Sequence, residues 1–210
     1  MNKITLLILT LLIPIVLFSQ SSEYKKIKNN SEIVIKINKA ASVTNTIKSK
    51  FTQEKFLSIL DDKLISSGDF YFARPNSLRW EYKDPFSYLI LMHKGKIILK
   101  DENKTNRFDS DSNEMFRQMN EMIISLVQGS LLNSNQFTFE VFESQKDILI
   151  KLTPNIEQLR QMLPCIDMYF NKTDYSVTEV KMHEDSGDYT LIKFHQKQLN
   201  SVINNTFFDE

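Results

Sequence analysis

A chain of 210 residues is long enough for one domain or at most two small ones, and its 26 basic and 26 acidic residues give a formal net charge of +0. This balance argues against a nucleic-acid partner, while 41% hydrophobic and 25% charged residues exclude an intrinsically disordered protein. The single cysteine, Cys165, cannot form an internal disulfide, so the hydrophobic core alone must stabilise the fold.

The first residues, MNKITLLILTLLIPIVLFSQ, have the layout of a cleaved secretory signal. Lys3 supplies a positive start, and the apolar stretch from Ile4 to Phe18 is shorter than the roughly 20 residues of a spanning helix. An uncleaved anchor is the alternative. No cysteine follows Ser19, so the mature chain is not expected to become a lipoprotein itself. The predicted divisions are a signal peptide at 1–19, a polar lead at 20–30 and a single domain at 31–210.

A helical pattern precedes a series of strands. Apolar residues recur every three or four positions from Ser31 to about Ser49, which predicts an amphipathic helix with Ser31 as its cap. The period then changes to two, as expected for strands. The strand sequences in this half of the chain are KSKFTQEKFLSIL, KLISSGDFYFAR, SLRWEY, FSYLILMH and KIILK.

A second helix is predicted between Asn113 and Leu132. Its apolar residues fall at i, i+4, i+7 and i+11, on an unusually methionine-rich face: Met115, Met119, Met122 and Leu126. Strands resume at QFTFEVFE and DILIKLT, and a short helix is predicted from Pro154 to Leu163 with proline in its first turn. Three further strands follow: CIDMYFN, SVTEVKMHE and YTLIKFHQ. Short connections predict antiparallel pairing, and a sheet of eight to eleven strands must curl into a barrel or half-barrel.

The sequence carries no convincing catalytic or metal-binding motif. The three histidines, His93, His183 and His195, have no metal-ligand spacing, and in the predicted hairpin His183 lies opposite Thr190. Cys165 lies in a strand without an obvious base and is expected to be a buried structural thiol. We therefore expect a protein that is not an enzyme and that uses no cofactor and no metal.

The residues that do point to a function are apolar. Fifteen Phe and eight Met are generous for 210 residues, and a curved sheet lidded by a Met-faced helix would form a container for apolar ligands. The predicted cavity residues are Phe51, Phe70, Phe72, Trp80, Ile90, Met115, Met119, Met122, Leu126 and Phe139. The alternative is that the methionines simply fill the core.

Two arginines are separated by strand alternation. Arg74 falls on the side of Phe70 and Phe72, where its charged head would either bond the carbonyls of a covering helix as a latch or extend to water. Arg79 shares the other face with Glu81 and is expected to be solvated.

The stretches FTQEKF and SGDFYFARPNSLRWEY, the latter followed by Asp84-Pro85, resemble the signature of the periplasmic outer-membrane lipoprotein carrier (LolA) family. The LTP at Leu152 to Pro154 and the closing VTEVKMHEDSGDYTLIKF agree with that resemblance. It implies an α+β, mainly antiparallel β fold: a half-open (unclosed) β-barrel of about eleven strands covered by a lid of about three helices. It also implies that Arg74 is the lid latch and that Trp80 lines the cavity.

The function implied by the resemblance is that of a monomeric periplasmic carrier. Such a carrier receives the acyl chains of lipoproteins from an inner-membrane ATP-driven transporter and delivers them to the outer membrane, with an outer-membrane acceptor as a further partner. A lipid-sensing regulatory module and a carrier of another amphiphilic lipid are the alternatives.

Overall fold

The computed structural model describes residues 23–109, 125, 132 and 135–209. Within them the chain forms one antiparallel sheet, whose strands differ in length, and two α-helices. The strands are β1 Lys25–Lys26, β2 Thr46–Leu57, β3 Asp62–Ala73, β4 Ser77–Asp84, β5 Tyr88–His93, β6 Lys96–Asp101, β7 Thr105–Asp109, β8 Phe137–Glu143, β9 Asp147–Pro154, β10 Cys165–Asn171, β11 Val177–His183 and β12 Tyr189–Leu199. The helices are α1 Ser31–Ser42 and α2 Glu157–Met162, and a 3₁₀ helix spans Asn205–Phe208.

The twelve described strands follow the order β1-β8-β9-β10-β11-β12-β2-β3-β4-β5-β6-β7. From β2 to β7 and from β8 to β12, each strand pairs with the next one along the chain. Strand β12 returns to pair with β2, which joins the two halves of the chain in the middle of the sheet. Strands β1 and β7 are the two edges of this order, so the barrel of described strands is unclosed, as predicted. The count of twelve exceeds the predicted eleven because the two-residue β1 pairs with β8.

Two clusters of buried side chains cover one face of the sheet. The first joins α1, through Ile37, to apolar residues of β8–β11. The second lies over β2–β6 and β12 and is rich in aromatic rings. Met182 and Phe194 pack against both clusters, so the apolar face is continuous from one half of the sheet to the other.

The predicted lid of three helices is not matched: the described residues contain two α-helices. The helix predicted between Asn113 and Leu132 lies outside them except for Ser125 and Leu132, so its Met115, Met119, Met122 and Leu126 are not described. The predicted signal peptide also lies outside them. The helix over 154–163 is shorter than predicted because Pro154 is the last residue of β9, opposite Phe137. No helix in the described part of the chain combines the length and apolarity needed to cross a membrane.

The opposite, convex face of the sheet is partly covered by the C-terminal 3₁₀ helix. Phe207 packs against Tyr71, with 4.4 Å between ring centroids, and Phe208 is buried beside His93. The guanidinium of Arg79 lies 5.2 Å from the centroid of the Phe207 ring and forms an ion pair with Glu81. Arg79 is therefore half-buried rather than solvated, because a segment more than a hundred residues away in sequence covers it.

Candidate functional site

The candidate site is a cluster of aromatic rings on the concave face, built where β2, β3, β4 and β12 lie side by side. Trp80 is at its centre: its ring lies edge-on to Phe51 at 5.3 Å and to Phe70 at 5.2 Å, measured between centroids. Phe194 of β12 closes the other side, 5.4 Å from Phe70. Edge-to-face contacts at these distances add to the stability that aromatic burial already provides.

A glycine makes room for this cluster. Gly68 lies in register between Phe51 and Tyr82, and these two rings meet at 5.0 Å across it. A Cβ atom placed on Gly68 would stand 1.9 Å from the carbonyl oxygen of Glu81, well inside van der Waals contact. The sheet is irregular at this point, between Ser67 and Gly68, and the missing side chain lets β4 approach β3 closely.

Few polar atoms enter the cluster, and they are distinctive. The Tyr82 hydroxyl donates a hydrogen bond of 2.9 Å to Gln53 Oε1. Burial, and then the neighbouring Tyr88, raises the pKa of the Tyr82 phenol to about 12, so this group is a neutral donor at physiological pH. Within the described residues, the buried indole N–H of Trp80 has no hydrogen-bond acceptor. An orphaned buried donor is costly and is satisfied if an acceptor, such as an ester carbonyl, comes close.

The cluster reaches the surface at the turn between β4 and β5. Phe86 stacks on Tyr82 with 5.6 Å between centroids, yet half of its side chain (50%) is exposed. Apolar rings therefore run without a break from the buried Phe70 to an exposed rim. A ligand entering at Phe86 would meet apolar surface along its whole path.

Arg74 anchors the C-terminal end of α1. Its Nε donates to the carbonyl of Thr44 and its Nη2 to the carbonyl of Ala41, both at 2.8 Å. A cation at this end of a helix is also stabilised by the helix dipole. The Asn200 side chain donates to the carbonyl of Val43 at 3.1 Å, so two residues distant in sequence bind backbone carbonyls at and just beyond this end of the helix.

Pairing into the sheet explains why α1 ends at Ser42 rather than near Ser49, as the periodicity predicted. The residues from Thr46 onward pair with β3 and β12 instead of continuing the helix. The predicted cap is also shifted by one position: Ser31 is the first helical residue, and Asn30 precedes it as the N-cap, without a side-chain capping bond.

The structure brings most of the sheet residues of the predicted cavity onto one apolar face. Phe51, Phe70 and Phe72 are buried in the second cluster, with Trp80 and Ile90 packed against it. Phe139 packs against the first cluster instead, nearer α1. Three important members were missed, namely Tyr82, Met182 and Phe194. Strand alternation placed Tyr82 on the face of Trp80, but the partners of β12 are set by long-range pairing that no local pattern reports.

Apolar side chains make up most of this face among the residues that the structure describes. In the described part of the chain, the titratable cluster of Cys165, Asp167 and His183 lies on the other face of the sheet. The concave face, in its described residues, offers ring surfaces, the neutral Tyr82 phenol and the Trp80 indole N–H. It suits a ligand with long hydrocarbon chains and a few acceptor atoms.

Comparison with known proteins agrees with this geometry. The family model described as outer membrane lipoprotein carrier protein LolA matches residues 42–209. No curated protein sequence matches the chain.

Several solved structures are similar to this chain. An uncharacterized conserved protein from Thermus thermophilus is similar with a TM-score of 0.51 at 9% identity, covering 85% of this chain and 91% of that one. A LolA superfamily protein from Nitrosomonas europaea has a TM-score of 0.46 at 7% identity, with 84% and 96% covered. The MucA/MucB complex of Pseudomonas aeruginosa has a TM-score of 0.48 at 9% identity, with 85% and 60% covered. At 9% identity, the likeness to the Thermus thermophilus protein shows the fold alone.

Proposed function

The chain belongs to the LolA family of outer membrane lipoprotein carrier proteins, and on that premise we propose that it binds the acyl chains of lipoproteins on its concave aromatic face and carries them to the outer membrane. The observation that carries the proposal is the unbroken run of rings from the buried Phe70, through Trp80 and Tyr82, to the exposed Phe86.

The energetics favour such a carrier. Each methylene removed from water contributes about 0.8 kcal/mol, so an acylated protein does not cross an aqueous space without a partner that covers its chains. The concave face supplies that cover, and the Trp80 N–H supplies a donor for the ester group at the head of an acyl chain. The cargo must also be released, so the site must have an empty state in which its own side chains pack together.

The same proposal fixes the location and partners. A carrier of this kind works as a monomer in the periplasm after removal of a signal peptide. It takes cargo from an inner-membrane ATP-driven transporter and hands it to the outer membrane or to an acceptor there. It catalyses no reaction, since the concave face supplies surfaces and hydrogen-bond donors rather than reacting groups.

Trp80, the only tryptophan of the chain, provides a direct readout of binding. Titration of the exported protein with a synthetic triacylated lipopeptide is expected to change Trp80 fluorescence saturably, because the acyl chains replace ring contacts and solvent around the indole. The same peptide without acyl chains is expected to produce no change.

Two glutamate variants locate the entry point. Phe86→Glu places a charge at the rim of the aromatic cluster, and we expect it to weaken lipopeptide binding about tenfold, equivalent to about 1.4 kcal/mol. Ile59→Glu is the matched control: Ile59 is 91% exposed at the β2–β3 turn, and its replacement should leave affinity unchanged. If the lipopeptide leaves Trp80 fluorescence unaltered, or if both variants bind like the unmodified protein, the proposed site is wrong.

A further inference from the structure

A cluster of three metal-ligating side chains lies on the convex face, away from the aromatic site. Cys165 of β10 is directly opposite His183 of β11, and Asp167 follows two residues along β10 on the same face. Asp167 Oδ2 is 3.0 Å from His183 Nε2, and Asp167 Oδ1 is 3.5 Å from Cys165 Sγ. One ligand atom of each residue lies within 4.8 Å of the other two.

The strand alternation fixes which way these groups face. Ile166 and Met168, the residues between and beyond them, are buried in the first cluster on the concave face. Asp167 is nonetheless only 5% exposed, so its carboxylate is enclosed on the convex side by the side chains around it. Cys165 borders a cleft of about 470 Å³ whose other lining residues are Thr138, Phe139, Glu140, Lys151 and Thr153.

One thiol, one carboxylate and one imidazole together suit a divalent cation that is intermediate between hard and soft, such as Zn²⁺. Zinc takes such ligands at about 2.0 to 2.3 Å in a tetrahedron, which separates neighbouring ligand atoms by about 3.3 to 3.8 Å. The 3.0 Å from Asp167 Oδ2 to His183 Nε2 and the 3.5 Å from Asp167 Oδ1 to Cys165 Sγ are close to these separations. The thiol and imidazole ligand atoms, which lie within 4.8 Å of each other, would draw together around the cation. The His183 side chain is 34% exposed, so solvent can supply a fourth ligand such as water.

We propose that Cys165, Asp167 and His183 form a three-ligand binding site for a divalent d-block cation of the Zn²⁺ class, independent of the acyl-binding function. The inference revises the expectation from sequence that His183 has no metal role and that Cys165 is only structural. Spacing along the chain hid the site, because Asp167 and His183 come from neighbouring strands and meet only through the β10–β11 register.

The thiol proton of Cys165 and the ammonium group of Lys151 compete with a cation for these ligands. The Cys165 thiol donates to Asp167 Oδ1. Binding as a thiolate therefore releases that proton to solvent. Lys151 Nζ lies 3.7 Å from Asp167 Oδ1 and must yield as the cation arrives. A second cation, Lys181, is directed onto the Tyr189 ring, 4.0 Å from its centroid.

Cobalt titration tests the site, since Co²⁺ occupies zinc sites and reports its ligands by absorption. Untagged, reduced, metal-free protein is expected to bind one Co²⁺ per chain with a thiolate-to-cobalt charge-transfer band, and added Zn²⁺ should remove that band. Cys165→Ser should abolish the band, and both Cys165→Ser and His183→Ala should weaken binding at least about tenfold. His195→Ala is the control, because His195 faces Thr52 on other strands, and it should bind as the unmodified protein does.

A gain-of-affinity variant guards against misfolding as an explanation. Lys151→Met removes the cation nearest to Asp167 and is expected to tighten Co²⁺ binding several-fold, an effect that a damaged fold does not produce. The proposal is overturned if the unmodified protein shows no charge-transfer band at millimolar Co²⁺. It is equally overturned if binding is the same in Cys165→Ser, or if Lys151→Met leaves the affinity unchanged.

Discussion

Replacing Gly68 with alanine is expected to lower the free energy of unfolding by about 3 kcal/mol, one of the two largest effects the structure predicts. The new Cβ would lie 1.9 Å from the Glu81 carbonyl oxygen, a backbone atom that moves only if β4 separates from β3. That separation would also part Phe51 from Tyr82, whose rings meet across the glycine. Urea unfolding followed by circular dichroism measures the change.

Ser67→Ala is the matched control for this substitution. Ser67 precedes Gly68 in β3, points to the opposite face and is only half-buried, so its replacement should change the unfolding free energy by less than about 0.5 kcal/mol. Equal stability of Gly68→Ala and Ser67→Ala would show that the strands accommodate a side chain at this position, against the geometry described above.

The second large effect is expected for Arg74→Leu. This variant leaves the carbonyls of Ala41 and Thr44 without their charged donor, and hydrogen bonds to charged groups contribute about 1.5 to 3 kcal/mol each. We expect the empty protein to lose about 2 kcal/mol of unfolding free energy. If these bonds hold the site closed only when it is empty, the same loss favours the loaded state and slows cargo release about thirtyfold.

The release rate separates a latch from a merely structural arginine. Labelled lipopeptide is loaded onto each variant, and its transfer to liposomes is followed over time. Arg74→Lys keeps the positive charge but loses the two separate donor nitrogens of the guanidinium. Its release rate should therefore fall between those of Arg74→Leu and the unmodified protein. Arg79→Leu, which removes an arginine from the convex face, should transfer cargo normally. Release from Arg74→Leu at the unmodified rate, or failure of the folded variant to load, would refute the latch.

The strands of this fold were largely readable from sequence because their signal is local. Alternation in FTQEKF, GDFYFA and SLRWEY placed Phe51, Phe70 and Trp80 on one face, and the structure packs all three together. Turn residues between successive strands predicted short connections, and short connections require neighbouring strands to be antiparallel. Alternation does not predict that β12 pairs with β2, and this pairing brings Phe194 into the aromatic cluster.

The errors at element ends have tertiary causes. Helix α1 stops early because the residues from Thr46 onward pair with β3 and β12. Arg74 and Asn200, both remote in sequence, bind carbonyls at that end. Strand β12 continues beyond the predicted YTLIKFHQ because its pairing resumes, after an irregularity, between Gln198 and Lys48. His183 faces Tyr189, not Thr190, because the turn closes with a bond from the Glu184 amide to the Asp188 carbonyl.

The sequence predicted which residues of the candidate site lie near one another but not their contact partners. Composition and a family signature pointed to an apolar container with an arginine beside it, and the positions of Trp80 and Arg74 followed from alternation. Three other features depend on the register between strands. They are the carbonyls that Arg74 binds, the close approach of β4 at Gly68 and the contact of Cys165 with His183. Those contacts are fixed only when the whole sheet has assembled.

The central claim is that this protein carries acyl chains, and native mass spectrometry of the exported protein, isolated without detergent, tests it most directly. The predicted result is a population with one acylated peptide or lipoprotein bound per chain, lost in Phe86→Glu and retained more firmly in Arg74→Leu. A spectrum containing only the bare polypeptide, even after incubation with a triacylated lipopeptide, would contradict the account.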